Sequence, residues 1–285
     1  MKDVSNTMRA QILTAAVPYI KQYTDQYVVV KYGGNAMIDE ALKKSVMKDL
    51  LLLQLVGVKV VLVHGGGPAI NSTLDAMQIE SHFANGLRVT DEATMDVVQM
   101  VLAGKVNKGL VANLTDLGGK AVGLCGVDGN MIQVHKQNDE LGYVGSIDTI
   151  DTSIIHDVIS RGYIPVISSI GMGADGKTYN INADTVAAKI AGALKAEIMV
   201  AMTNIDGVLR DVHDPESLIS KITMAEAEQL KAEGIIAGGM IPKVDCCLEA
   251  IKSGAQKVFI INGEIPHAIL IELLTDEGLG TMFVA

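Results

Sequence analysis

The sequence predicts an α/β protein with a parallel sheet that presents ligand-binding groups at the carboxyl ends of its strands. Three observations carry this. Residues 27–30 hold three consecutive valines, the composition of a buried strand, and run straight into Lys31, Tyr32, Gly33 and Gly34. Residues 58–63 repeat the device and end in His64, Gly65, Gly66, Gly67 and Pro68. Stretches with helical hydrophobic spacing follow these runs, giving the alternation of an open α/β sheet. Ligands of such sheets sit outside the carboxyl ends of the strands. A lysine beside paired glycines supplies a cation and exposed backbone N–H groups, which suits a phosphate or a carboxylate.

The length of 285 residues suits one large or two modest domains. With 49% hydrophobic and 20% charged residues, the chain has the composition of a globular protein with a sizeable core. A net charge of −10 argues against a nucleic-acid surface or an anionic membrane as partner, so an anionic substrate must be gripped by individual lysines and arginines. Cys125, Cys246 and Cys247 are odd in number and lack CxxC spacing, which points to reduced thiols in a cytoplasmic protein. The histidines form no ligand pair, so no zinc site is expected. No apolar run approaches the roughly 18 residues that cross a bilayer, and the amino terminus has no signal-peptide core.

In order along the chain, residues 5–24 carry a helical stripe (Met8, Ile12, Tyr19, Tyr23) that Pro18 should kink. This helix is either a cap on the core or an oligomerisation arm. Residues 39–56 form a helix closed by Gly57, and Pro68 opens the next one, so the glycines at 65–67 lie at a helix amino terminus that favours an anion. Gly86, Leu87, Arg88, Val89 and Thr90 form a turn before a helix capped at Thr90 or Asp91 and running to about Val106. Arg88 is equally readable as a surface residue or as a carboxylate grip. Residues 120–145 read as peripheral β-hairpins. A helix at 152–161, a strand at 163–169, a helix from Ala183 to Leu194 and a strand at 197–202 follow. Thr223 and Glu226 make a capping box, Gly239, Met240 and Lys243 open a helix that ends at Gly254, and 257–261 is a strand.

Residues 171–178 match the letters of a P-loop, but the lysine of a P-loop must begin a helix, and here 179–182 read as extended. A β-turn is the better reading. The better constellation is dispersed: Lys31, Gly33, Gly34, residues 65–67, Arg88, Asn180, Asp184 and Lys243. Two lysines in Gly-rich turns at opposite ends of the chain could flank a transferring phosphoryl group, which needs charge neutralisation and alignment more than covalent chemistry.

The strand ending in Lys31, Gly33 and Gly34, the HGGG turn, the stretch Asn180, Asn182, Ala183 and Asp184, and the late Gly238-Gly239-Met240 with Lys243 together resemble the amino acid kinase family. Residues 31–37 and 86–90 are similar to its branch that acts on N-acetyl-L-glutamate, and the likeness runs along nearly the whole chain. The resemblance implies an open αβα sandwich with a mainly parallel central sheet in two lobes. It divides the chain into a kinked helical arm at 1–26, an acyl-substrate lobe at 27–177 and an ATP lobe at 178–285. It implies ATP with Mg²⁺ as co-substrate and phosphorylation of the side-chain carboxylate of N-acetyl-L-glutamate, an early step of arginine biosynthesis.

In that reading Lys31 and Lys243 stabilise the phosphoryl group and the leaving ADP, and Asp184 orients both. Gly33, Gly34 and Gly66 offer N–H groups to the γ-phosphate. Gly66, Gly67, Arg88 and Asn180 hold the acceptor, while Thr203, Asn204, Asp206, Gly207, Gly239 and Met240 line the ATP site. Asn204 stands where many relatives have aspartate. The acceptor is already ionised at neutral pH, so no general base is needed. The arm and the tail resemble the arginine-inhibited branch, which implies a homohexamer built as a trimer of dimers, with Tyr19, His267, Glu277 and Gly280 around an arginine effector. Whether a PII-type signalling protein also binds is left open by the sequence. The alternatives are another member of the family (aspartate, glutamate, uridylate or carbamate kinase), a non-catalytic arginine sensor on the same fold, or a P-loop NTPase.

Overall fold

The computed structural model describes residues 5–84 and 86–285, so the first four residues of the expected arm lie outside the described residues. The arm is two short helices, α1 (Asn6–Ala15) and α2 (Val17–Tyr23). Pro18 falls in the first turn of α2, where its missing N–H is harmless, and the break occurs just before it. No residue of α1 is buried, whereas Tyr23 of α2 is.

The next elements follow the expected alternation: β1 (Tyr27–Tyr32), α3 (Glu40–Leu55), β2 (Lys59–His64) and α4 (Gly67–Ala76). Asp39 caps α3 by accepting from the N–H groups of Ala41 and Leu42. A small hairpin, β3 (Phe83–Ala84) with β4 (Leu87–Arg88), precedes α5 (Glu92–Gln99). Asp91 is the cap of α5, as one of the two expected caps, its carboxylate accepting from Thr94 N–H at 2.8 Å.

Here the structure corrects the sequence reading. The helix does not stop at Val106; it widens into a π segment (Met100–Val106) and continues as α6 (Asn107–Asp116). A π turn carries more residues than an α turn, so the apolar spacing shifts and reads in sequence as an end. Residues 120–145 are also not all peripheral hairpin. β5 (Ala121–Cys125) joins the central sheet, and only β6 (Ile132–Lys136) and β7 (Gly145–Ile150) form the hairpin.

The remainder comprises α7 (Ser153–Ser160), β8 (Ile164–Ser168), β9 (Ile170–Gly173), β10 (Thr178–Asn180), α8 (Ala183–Ala193) and β11 (Ile198–Thr203). After these come β12 (Lys221–Thr223), α9 (Met224–Ala232), α10 (Met240–Ser253), β13 (Lys257–Asn262), α11 (Ala268–Leu274) and β14 (Thr281–Val284). The capping box of Thr223 and Glu226 is present on α9.

The central sheet has eight strands in the order β12-β14-β13-β11-β1-β2-β8-β5, parallel except for the β13–β14 pair. β1 sits in its middle, so both faces of β1 are buried. Val29 packs in the core with Val186 of α8 and Val244 of α10, while Val28 and Val30 pack on the other side with Val46 of α3 and Leu110 of α6. Alternation along one strand thus builds both helical layers of an αβα sandwich. Burying each valine contributes about 1.5–2 kcal/mol, as an upper bound. A second sheet, β10-β9-β6-β7, covers one end of the first half, and the β9–β10 hairpin spans residue 177.

Candidate active site

The carboxyl ends of β1 and β2 and the amino ends of α4 and α8 surround a cleft of about 290 Å³. Lys31 shares the α8-facing side of β1 with Val29 but stands at the carboxyl end of the strand, past the packed layer, so its side chain reaches the cleft. Its Nζ lies 2.8 Å from Oδ1 of Asp184, and the lysine side chain is only 12% exposed. Asp184 is fixed in turn by the start of α8, where the Asn182 side chain accepts from Asp184 N–H at 2.8 Å. A carboxylate in a first helical turn also meets the positive end of the helix dipole.

Gly33, Gly34, Gly66 and Gly67 line the same cleft. Gly66 has a steric reason: a Cβ there would lie 2.6 Å from Leu102 Cδ2 and 3.3 Å from Val106 Cγ2, both on the π segment. Gly67 begins α4, whose first-turn N–H groups have no partner within the helix and lie at the cleft.

Arg88 settles its open reading: it is buried, not a surface residue. Its Nη2 donates to Asn71 Oδ1 at 2.6 Å, its Nη1 donates to Ser81 Oγ, and its guanidinium stacks 4.7 Å from the centre of the Phe83 ring. Among the described residues no carboxylate pairs with it. Burial draws its pKa down, but a guanidinium stays charged. A buried cation whose partners are neutral keeps unspent attraction for an anion entering the cleft. Asn180 lines the cleft as well, its Nδ2 donating to Thr90 Oγ1 at 3.3 Å.

Lys243 lies one turn into α10 and, with Thr203 and Asp184, borders a separate narrow cavity of about 10 Å³. Asp184 therefore belongs to both spaces and joins the two halves of the constellation. Among the described residues Lys243 forms no ion pair, so Asp184 is bonded to Lys31 alone of the two lysines. Asn204, Asp206 and Gly207 follow the end of β11, and Gly239 caps α10 just before Met240. Asp206 accepts from Asn262 Nδ2 at 2.8 Å, and Gly207 packs against Thr281.

None of the four residues expected around an effector lines this cleft. Tyr19 donates to Asp276, and Gly280 N–H donates to Glu272 at 3.1 Å. Glu277 has an exposed side chain. His267 turns to α3, with Nδ1 2.5 Å from Oδ1 of Asp49, a carboxyl that burial raises to about 6.

Lys177 is in a turn between antiparallel strands, its Nζ donating to Tyr143 Oη at 3.0 Å, and β10 rather than a helix follows it directly. That geometry excludes a P-loop. Sequence reasoning missed Asn71, Ser81 and Phe83, which hold Arg88, because nothing in their spacing distinguishes them. It also missed Asn107, which donates to His64 Nε2 at 3.0 Å inside the core.

A sequence model of the amino acid kinase family matches residues 26–262. The acetylglutamate kinase of Clostridium kluyveri is 54% identical over 275 residues, covering 96% of this chain and 97% of that protein. The acetylglutamate kinase of Brachyspira hyodysenteriae is 51% identical over 285 residues, 99% of each chain. Among solved structures, N-acetylglutamate synthase from Neisseria gonorrhoeae, complexed with coenzyme A and N-acetyl-glutamate, superposes with a TM-score of 0.85 at 27% identity. That match covers 97% of this chain and 63% of the synthase, so this chain spans less than two thirds of that protein's length.

Proposed function

This chain belongs to the amino acid kinase family, and from that membership we infer that it transfers the γ-phosphoryl group of ATP to the side-chain carboxylate of N-acetyl-L-glutamate. The observation that carries the choice of acceptor is Arg88, a buried guanidinium with neutral partners on the same cleft as the Lys31–Asp184 pair. It grips the α-carboxylate, and Asn180 takes the acetamido group. The side-chain carboxylate then lies toward Gly66, Gly67 and Lys31.

The acceptor oxygen is a nucleophile without proton removal, since a glutamate side chain ionises near pH 4.3. What remains is alignment and charge. Lys31 and the N–H groups of Gly33, Gly34 and Gly66 meet the negative charge on the transferring group. Lys243 neutralises the leaving phosphate, and residues 203–207 with Gly239 and Met240 hold the nucleotide. Asp184 keeps Lys31 aimed. Mg²⁺, carried with the nucleotide, would supply charge neutralisation beside Lys31 and Lys243.

The test is ATP-dependent acyl-phosphate formation trapped with hydroxylamine. Product with N-acetyl-L-glutamate but not with glutamate or aspartate is the expected result. Product with another acceptor would keep the kinase and overturn the roles of Arg88 and Asn180; no product would favour a non-catalytic binding protein.

The same reading extends to regulation. Met8, Ile12, Leu13 and Val17 are 53–73% exposed on the arm, an apolar stripe that a second copy would cover in a homohexamer. Arginine would sit between the arm and the tail, its guanidinium on Glu277, with Tyr19, His267 and Gly280 around it. A PII-type partner rests on the resemblance alone. No helix among the described residues is long and apolar enough to cross a membrane, and the three free cysteines suit the cytoplasm. Deleting residues 1–24 should shrink the assembly and abolish arginine inhibition while leaving turnover within about threefold, as expected for loss of an effector site. An unchanged hexamer that still responds to arginine would sink this part.

A further inference from the structure

We propose that His64 and Asn107 are positioning residues that fix the peptide between Gly65 and Gly66, so that the Gly66 N–H faces the cleft as a pre-aimed donor. The proposal rests on the phosphoryl-transfer reading and adds to it the device that holds one of its donors.

Asn107 is 1% exposed, immediately after the π segment. Its Nδ2 lies 2.8 Å from Val166 O, 3.0 Å from His64 Nε2 and 3.3 Å from Leu124 O, while its Oδ1 accepts from Lys108 Nζ at 3.1 Å. Two backbone carbonyls and an ammonium around one amide leave a single orientation: nitrogen toward the carbonyls, oxygen toward the lysine. An amide nitrogen only donates. His64 Nε2 must therefore accept, and the imidazole carries its proton on Nδ1.

That Nδ1–H faces Gly65 O at 2.8 Å. In a trans peptide the carbonyl and the following N–H point in opposite directions, and the chain contains no cis bond among the described residues. Holding the Gly65 carbonyl against the buried imidazole thus turns the Gly66 N–H the other way. Among the described residues that N–H has no protein acceptor, and Gly66 lines the cleft. Leu102 and Val106 press on the other side of Gly66. Asn107 N–H donates back to Leu102 O, five residues earlier, so one wide turn carries both the side chains under Gly66 and the amide that sets the histidine.

The imidazole stays neutral in this role. Burial pushes its pKa down to about 4, outweighing the Gly65 carbonyl, which raises it, and the Lys108 ammonium adds to the lowering. From the flanking strands it is paired in register with Tyr32 and Ser168, neither of them charged.

Two replacements separate aim from packing. The Nδ2 of His64→Asn occupies the place of Nδ1 and donates to Gly65 O, whereas in His64→Gln the Oε1 takes the place of Nε2, accepts from Asn107 Nδ2 and leaves Gly65 unheld. Both lose ring packing, and the smaller asparagine loses more. His64→Asn is expected to keep kcat within about fivefold of the parent, while His64→Gln loses about twentyfold or more, the scale of a misaimed anion-hole donor. Equal losses, or a worse asparagine, would overturn the proposal and leave a packing role. In Asn107→Asp the carboxylate accepts from His64 Nε2, so the neutral ring has a bare Nδ1 against Gly65 O. Protonating the ring restores the hold, and kcat of this variant should rise as pH falls through the imidazole titration, an acid limb that the parent lacks. Parallel profiles would also overturn it. Nitrogen-15 spectra of the parent's histidines, with no substrate, read the tautomer directly. An inactive parent with protonated Nδ1 would sink the acceptor reading alone, and a bare Nδ1 would sink this one.

Discussion

Lys31→Ala should lower kcat about 10³-fold, roughly 4 kcal/mol of transition-state stabilisation, while KM for N-acetyl-L-glutamate stays within severalfold. Two effects add in the same direction. The cation beside the transferring group is gone, and the Asp184 carboxylate, previously neutralised at 2.8 Å, now repels the phosphates. The fold should survive, because Asp184 remains in the first turn of α8, capped by Asn182. The double variant Lys31→Ala/Asp184→Ala should therefore recover part of the loss, a sign that single truncations alone do not reveal. Steady-state kinetics with hydroxylamine trapping, alongside a thermal melt, read both outcomes. A Lys31→Ala enzyme within tenfold of the parent would remove Lys31 from the mechanism. Arginine should not substitute at this position: Gly33 approaches so closely that a Cβ there would be 3.3 Å from Lys31 Nζ, and a guanidinium is larger.

Arg88→Lys should raise KM for N-acetyl-L-glutamate about 10²–10³-fold, with a smaller change in kcat. The guanidinium is held in one plane by Asn71, Ser81 and the face of Phe83, which leaves its remaining N–H groups for a carboxylate. An ammonium keeps the charge and loses the fork. Losing one or two charge-assisted hydrogen bonds of about 1.5–3 kcal/mol each accounts for that range. KM for ATP should hardly move. If instead both KM values rise together, Arg88 supports the hairpin rather than the acceptor.

What was legible in the sequence was whatever depends on neighbours in the chain. The valines before Lys31 specify a buried strand, and its end places the lysine and Gly33 at the carboxyl ends of the central strands. The HGGG turn and Pro68 mark the start of α4, and Thr223 with Glu226 marks α9, because caps and fixed φ angles act within one turn. What escaped depends on contacts across space. The π segment hides in sequence because its period is neither that of an α-helix nor that of a strand. Asn107, in a run containing Gly104 and Gly109, resembles any solvated asparagine until Val166 and Leu124 are brought beside it. Phe83 is exposed and gains meaning only from the guanidinium stacked on it. The shared position of Asp184, between the cleft of Lys31 and the cavity of Lys243, is likewise a product of the fold.

The central place of β1 bears on how the chain acquires activity as it is made. β1 pairs on one side with β2, a short distance along the chain, and on the other with β11, far beyond it. Such non-local parallel pairing forms late, because a long loop must close before any contact repays the ordering. Lys31 lies at that seam, and its partner Asp184 starts the helix leading into β11. A nascent chain that has released only its first half therefore has Arg88, the proposed acceptor grip, but holds Lys31 without its partner Asp184 and lacks Lys243. On the proposed roles of these residues, ATP turnover is expected only after the second half of the chain has joined the sheet.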